Sequence, residues 1–350
     1  MRIADFELGY GRRPMIIAEL GAAHNGNLST ALHLVETAKA CGADACKIQA
    51  FLPSTITLDS DAPEFIIPNG PWKGQRLWDL YTKAHMPRAW FAPLFARAAE
   101  LDIPLFASVF SIEDLDFIKQ FDPPAYKIAS LEMGDRALVK AVADEGRPVI
   151  ISTGTAQWDE IRAAAPSLSA AHHNTIWLHC ISSYPVETSK ADMLTLGTLR
   201  RQFSHVGLSD HSRGDLLGIM AAAMGAVLVE KHLTLTPNGG GLDDGFASGP
   251  DAFELFVDSV HAAHEALGYC DASQPVAPRA DVEHLPLRRS LYVVENVARG
   301  QMLNTFNVRS IRPGAGLAPE LLSSVIGKRA RRDIAKGTAL QHELIEDGNG

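Results

Sequence analysis

Two histidines, two lysines and a set of hydroxyls occupy positions from which they could act on one substrate. The segment 205–232, HVGLSDHSRGDLLGIMAAAMGAVLVEKH, reads as a buried strand ending in Ser209-Asp210-His211, a small-residue helix, and a strand ending in Glu230-Lys231-His232. Histidines at the ends of consecutive strands are what a parallel barrel offers a metal ion, because every strand delivers its last residues to one rim. Two are too few for a structural zinc site, which is normally closed by a full set of protein ligands. An open site completed by water and substrate oxygens suits a catalytic divalent ion acting as a Lewis acid. Taken separately, His211 and His232 are as readily core or capping residues; the pairing is what favours a metal.

Side chains alternate faces along a strand, so residues of one parity point the same way. If His211 and His232 face the barrel mouth, Ser209 and Glu230 do too, while Asp210 and Lys231 face the helical layer and are structural. Lys47 and Gln49 share a face of an earlier strand, and other strand ends add Glu19, Ser108, Lys127, Ser130 and Ser152. A lone lysine at a strand end is usually a snorkelling surface residue. Two lysines with several hydroxyls on one rim suit a phosphate, or a phosphate with a carboxylate: ammonium groups supply charge and hydroxyls supply directed donors.

The elements that must present these residues are short apolar runs alternating with amphipathic stretches. Candidate strands are Met15–Leu20, Ala43–Phe51, Pro104–Phe110, Ala125–Ser130, Pro148–Gly154, Thr175–Cys180, His205–His211 and Val227–Leu233. Helical patterns lie between them at Leu28–Cys41, Ala89–Leu101, Asp135–Glu145, Asp159–Leu168 and Met193–Phe203. Eight strands in this alternation predict an α/β fold, a (β/α)8 TIM barrel, rather than an open doubly wound sheet. Asn27-Leu28-Ser29-Thr30 and Ser111-Ile112-Glu113-Asp114 are helix-start signals. The loop from Leu52 to Pro87 is long enough for a lid or specificity element, a decorative insertion being the alternative.

Around Tyr269–Pro286 the pattern changes to a polar, proline-containing connector. The expected organisation is a barrel over 1–270, a linker over 271–286 and a small β-rich domain over 287–347. In the last of these, Leu287–Val294, Asn307–Arg312, Val325–Ile334 and Gly337-Thr338-Ala339-Leu340 read as short pieces around a Gly314-Ala315-Gly316 turn.

Composition narrows the function classes. The 350 residues include 32 basic and 41 acidic side chains, a formal net charge of −9 that argues against a general nucleic-acid binder. No apolar run approaches the ~20 residues that cross a bilayer, and the N-terminal MRIADFELGYGRRP has no apolar region of the signal-peptide kind. Cys41, Cys46, Cys180 and Cys270 lack metal-type spacing and read as buried reduced thiols, which predicts a cytoplasmic protein. His172, His173, His261 and His264 read as solvated.

Several segments together resemble the sialic acid synthase family, which joins phosphoenolpyruvate to an N-acetylated amino sugar. They are IIAELGAAHNG (16–26), GADACKIQ (42–49), AYKIAS (125–130), PVIISTG (148–154), LHCISSYP (178–185), GLSDH (207–211), GAVLVEKHLT (225–234) and RRSLYVV…NVRSIRPGAGL (288–317). They span nearly the whole chain in the family's order. The resemblance implies a C-terminal antifreeze-protein-like (SAF) domain of β-clip form. TLDSDAPEFI (57–66), GPWKGQRLWDLY (70–81) and the Gly-Gly-Gly-Leu-Asp-Asp-Gly-Phe run (239–246) are most similar to the pseudaminic acid synthase branch. That branch implies a 2,4-diacetamido-2,4,6-trideoxyhexose acceptor; N-acetylmannosamine or a legionaminic-type precursor stays open, as does a non-catalytic carbohydrate-binding relative.

By the same resemblance, His211 and His232 are ligands of a divalent metal, Mn2+ or Mg2+. Lys47, Ser108, Lys127, Ser130, Ser152, Tyr184 and Ser209 contact phosphoenolpyruvate. Gln49, Glu132 and Asp243 contact the sugar, and Glu19 is a candidate acid/base. Arg312 reaches into a partner subunit's site, which implies a domain-swapped homodimer. The sequence departs from the family pattern at Ala23, at Ala107, Val109 and Ser111, at Thr155, and at Ala247 with its neighbours.

Overall fold

A computed structural model describes residues 1–268 and 279–346. The chain divides into two compact units, Met1–Gly268 and Tyr269–Gly350. In the first, two-residue strands β1 (Arg2–Ile3) and β2 (Phe6–Glu7) form an antiparallel hairpin. Eight strands then close into a parallel barrel: β3 (Met15–Glu19), β4 (Ala45–Ala50), β5 (Leu105–Val109), β6 (Tyr126–Ile128), β7 (Val149–Ser152), β8 (Thr175–Cys180), β9 (Val206–Asp210) and β10 (Leu228–His232). β10 closes the ring by pairing with β3, placing His232 beside Glu19. The TIM-type barrel expected from the alternation is therefore the fold.

Helices α1 (Leu28–Ala40), α4 (Phe91–Glu100) and α5 (Ile112–Ile118) cover the first half of the barrel, while α2 (Pro53–Ile56) and α3 (Leu77–Ala84) belong to the long 52–87 loop. α6 (Arg136–Asp144), α7 (Trp158–Ala164), α8 (Leu194–Arg200), α9 (Leu216–Ala223) and α10 (Pro250–Leu267) cover the second. Both expected N-caps form: Asn27 accepts from the N–H groups of Ser29 and Thr30, and Ser111 from that of Asp114. The expected helix Asp159–Leu168 stops early: α7 ends at Ala164 and tightens into a 3-10 turn at Pro166, which supplies no N–H to continue the α-helical ladder.

Inward-facing residues change character with height, which is how the fold makes a site. Low in the barrel they are Met15, Ile17, Ala45, Phe106, Ala125, Ile150, Ile176 and Leu228, one apolar cluster. The N-terminal hairpin, which carries no sequence pattern strong enough to announce it, adds Ile3 and Leu8 beneath that layer, both nearly inaccessible. Two residues further up the same parity come Glu19, Lys47, Ser108, Lys127, Ser152, Ser209 and Glu230. The outward parity packs on the helices, and there Lys231 pairs with Asp210 at 2.7 Å, donates to Ser212 O at 2.7 Å and lies over the Phe256 ring at 5.0 Å. Both are buried and structural, as the alternation predicts.

Some expectations change. His261 is half-buried rather than solvated, because its Nε2 accepts from Arg13 Nη1 at 2.6 Å, and Arg13 also holds Asp44 at 2.7 Å. Cys41, Cys46 and Cys180 are buried free thiols; Cys270 and part of the connector, with the side chains of His172 and His173, lie outside the described residues. In the second unit β11 (Ser290–Val293) pairs antiparallel with β12 (Val308–Ile311), around a core of its own that includes Leu291, Val293, Leu303 and Leu340. The expected piece Val325–Ile334 is not one strand: helix α11 (Leu322–Val325) ends in it, Gly327 turns at φ +94°, and single bridges follow at Arg329, Ala330 and Ile334. Among the described residues no helix is long and apolar enough to cross a membrane.

Candidate active site

At the C-terminal rim of the barrel a cavity of about 780 Å³ opens above the apolar layer. Glu19, Lys47, Gln49, Ser108, Lys127, Ser130, Glu132, Ser152, Tyr184, Ser209, His211, His232 and Asp243 all line it. Residues expected at the rim from widely separated segments are thus brought together. Arg312 lies in the other unit, exposed just beyond β12.

The floor is a charged lattice. Lys47 Nζ stands 2.7 Å from Glu19 Oε2 and 3.1 Å from Glu230 Oε1, and donates to Ser108 Oγ at 2.9 Å. Burial opposes its charge, but the two carboxylates outweigh that and push its pKa up to about 12. Glu230 is held well below the usual carboxylate range: burial opposes this too, but Lys47 and Lys127 prevail. Glu230 Oε2 is buried with no hydrogen-bond partner. Glu19 Oε1 accepts from Gly21 N–H at 3.0 Å and Gln49 Nε2 at 2.8 Å, so this carboxylate braces Lys47, Gln49 and the loop after β3 together.

Lys127 differs from Lys47. Its Nζ donates to Ser152 Oγ at 2.7 Å and to Ile128 O at 3.2 Å, and among the described residues no carboxylate pairs with it. Burial draws its pKa down, with Glu230 opposing and Lys47 adding to the fall. A buried ammonium with hydroxyl partners and no counter-ion of its own is a seat for an anion. Ser130 Oγ, nearby in sequence, accepts from Gly154 N–H at 3.1 Å.

The two histidines face each other with ring centroids 5.3 Å apart. His211 Nδ1 lies 2.8 Å from Ile181 O, a group that can only accept, so Nδ1 carries a proton and Nε2 is the nitrogen left for another partner. His232 Nδ1 is buried 3.4 Å from Asp243 Oδ2 without a hydrogen bond, and that oxygen accepts from Ala22 N–H at 2.8 Å. Gly21 is required here: its φ is +42°, and a Cβ would overlap Asp243 Oδ2. Among the described residues no cluster of three or more His, Cys, Asp or Glu side chains could hold a metal by itself. Two imidazoles with second-sphere acceptors fit an ion that takes its other ligands from water and substrate.

Sequence reasoning missed part of the wall. Beside Tyr184, which the resemblance names and whose ring lies tilted 4.4 Å from that of His211, Phe246 sits 5.0 Å from His232, and Trp72 meets Tyr184 at 5.9 Å and Phe246 at 6.4 Å. Cys180 also lines the cavity, and its place at the end of β8, on the inward parity of Leu178, was the available signal. Trp72 comes from the 52–87 loop, where Ile67 and Gln75 pair and Arg76 is held by Asp59, Asp61 and Asp79. His24 fastens the far end of that loop: Gly26 N–H donates to its Nδ1 at 3.0 Å, leaving Nε2–H for Ala84 O at 3.2 Å.

Glu132 is the remaining carboxyl of note. Its Oε2 is buried without a partner, and burial raises its pKa to about 7, against smaller opposing effects of its own N–H and of Lys127. Of the departures from the family pattern, only Thr155 lines the cavity; Ala23, Ala107 and Val109 are in the core, and Ser111 caps α5.

A charged cavity at the C-terminal strand ends is the place where enzymes built on a (β/α)8 barrel hold their substrates. Residues 34–272 match the NeuB family and residues 288–346 the SAF domain, so the chain belongs to the NeuB family, with a SAF domain at its C-terminus. It is 38% identical to a pseudaminic acid synthase of Campylobacter jejuni, over 97% of this chain and 98% of that protein. An N,N'-diacetyllegionaminic acid synthase of Legionella pneumophila is 30% identical, over 95% of this chain and 94% of that protein. Among solved structures, an N-acetylneuraminic acid synthetase from Leptospira borgpetersenii superposes with a TM-score of 0.72 at 28% identity, covering 81% of this chain and 94% of that one.

Proposed function

We propose that the chain condenses phosphoenolpyruvate with a 2,4-diacetamido-2,4,6-trideoxyhexose to give a pseudaminic-type nonulosonic 2-keto acid and phosphate. The observation that carries this reading is Lys127, a buried ammonium bonded to Ser152 and without a carboxylate partner among the described residues, in the same cavity as the two facing imidazoles. The higher identity to the pseudaminic than to the legionaminic relative favours that acceptor.

In this reading Lys47 and Lys127 hold the anionic donor, with Ser108, Ser130, Ser152, Ser209 and Tyr184 as directed partners, while Gln49, Glu132 and Asp243 face the sugar. His211 and His232 would hold a divalent ion, Mn2+ or Mg2+, which when bound supplies Lewis-acid polarisation of the aldehyde oxygen. C3 of the enol phosphate forms a carbon–carbon bond to the aldehyde carbon, whose oxygen takes up a proton. Water adds at C2, and phosphate leaves by C–O cleavage to yield the ketone. Glu132, whose carboxyl titrates near 7, suits proton exchange better than Glu19, which is committed to Lys47, Gln49 and Gly21. Lys47 and Lys127 stay fixed while charge develops, so much of the catalysis is positioning and electrostatic stabilisation. We place the enzyme in the cytoplasm, a reading its buried free thiols support, and in a homodimer to which each partner lends Arg312.

The test is phosphate release from phosphoenolpyruvate over a panel of 2-acetamido and 2,4-diacetamido sugars, with products identified by mass. Chelator and His232→Ala are each expected to abolish release. Turnover that survives both removes the metal from the mechanism, and donor binding without product over the whole panel refutes the synthase reading.

A further inference from the structure

The cavity has two chemically distinct ends. Its floor carries the lysines, the carboxylates and the strand-end hydroxyls. On the side given by the 52–87 loop and the residues just past β4 and β5, Phe51, Ile56, Ile67, Leu77, Tyr81 and Phe110 form an apolar face, with Asn69 the polar side chain that the same loop adds to the lining. Phe51 joins it together: it is buried, and its ring meets Tyr81 at 5.7 Å and Phe110 at 5.2 Å, both edge-on. Apart from the Tyr81 hydroxyl, these six side chains offer no hydrogen-bonding group. A substrate hydroxyl pressed against them gives up water for nothing, whereas a methyl group gains by leaving water.

We propose that this wall is a subsite for the C6 methyl group of a 6-deoxy acceptor, and that Phe51, Leu77 and Phe110 are specificity-determining residues that reject the 6-hydroxy counterpart. The inference rests on the functional reading above. It takes the donor on the lysine floor, the aldehyde at His211 and His232, and the far end of the sugar's carbon chain against this face of the same cavity. The acetamido groups also end in methyls, so the test separates the two sources.

The experiment measures kcat/KM at saturating phosphoenolpyruvate for three acceptors of whichever configuration the panel shows to be turned over. They are the 2,4-diacetamido-2,4,6-trideoxy sugar, its 6-hydroxy analogue and its N-formyl analogue, each assayed with the wild-type enzyme, Phe110→Tyr and Leu77→Asn. The 6-deoxy sugar is expected to be preferred over the 6-hydroxy one by about 10- to 100-fold, the range an apolar pocket achieves. N-formyl replacement costs little, and both variants, by placing a hydrogen-bonding group on the wall, cut the C6 preference several-fold while leaving the KM for phosphoenolpyruvate unchanged. A C6 preference near unity in the wild type overturns the proposal, as does a preference that neither folded variant moves. A large N-formyl penalty without a C6 penalty overturns it as well, assigning the wall to an acetamido methyl. The wild-type comparison decides alone if both variants fail to fold. Absence of turnover with every sugar removes the synthase reading, and this subsite with it; that outcome is distinct because it abolishes reaction rather than discrimination.

Discussion

Lys47 and Lys127 show how one cavity gives like-charged neighbours different tasks. Lys47, between two carboxylates, is locked in its charged form, whereas Lys127 has only hydroxyl and carbonyl partners and so remains available to an anion. Glu132 sits half-buried with one oxygen unpaired, and its carboxyl is the one raised to about 7. Because its folded-state pKa exceeds its unfolded value, the folded chain binds the extra proton between the ordinary carboxylate range and about 7. Its contribution to stability is therefore present below that window and lost as pH rises through it. Glu132→Gln should flatten this slope and stabilise the protein at pH 8 relative to wild type by on the order of 1–2 kcal/mol. Denaturant unfolding of both proteins at pH 5 and pH 8 checks it; equal slopes would show that the carboxyl is solvated. Parity made the strand-end lysines legible, because one alternation fixes both the inward and the outward set, whereas Glu132, in the turn after β6, is named by the resemblance alone. The difference between the two lysines was not legible, since it depends on which carboxylates lie across the barrel.

The barrel strands were legible because each is a short apolar run flanked by turn and capping residues, and all eight were found where the pattern placed them. Two-residue strands such as β1 and β2 carry no period, so the N-terminal hairpin could not be read. The long loop was recognised by length alone; its internal pairing and its three-carboxylate grip on Arg76 depend on residues whose meeting no local pattern encodes. The same holds for the contact of Trp72 with Tyr184 and Phe246, which joins three rim segments. Trp72→Ala should leave stability within about 1 kcal/mol, since the ring is only half-buried. It should raise the KM for the acceptor about tenfold or more, with the KM for phosphoenolpyruvate little changed, the mark of lost acceptor contacts. Steady-state kinetics with each substrate varied in turn decides it; parallel losses for both substrates would mean that the loop shapes the whole site.

Two compact units with separate cores make up the chain, and the SAF unit carries Arg312 exposed at its surface. If each protomer's Arg312 completes its partner's cavity, Arg312→Ala and His232→Ala subunits are each inactive but complementary. Mixing them after exchange of subunits should restore up to about a quarter of wild-type activity, because about half the dimers are mixed and each has one intact site. No recovery, with exchange confirmed by native mass spectrometry, would place Arg312 in its own chain's site or outside the chemistry altogether.

The hairpin that seals the barrel's lower end has a kinetic consequence. With Ile3 and Leu8 stoppering the shaft beneath an unbroken apolar layer, the rim is the route by which the lysine floor is reached. Whatever binds deepest must then arrive first and depart last. Varying both substrates should therefore give an ordered pattern, phosphoenolpyruvate leading, with a dead-end acceptor analogue uncompetitive against it. Random addition would mean that the floor stays reachable past a bound acceptor.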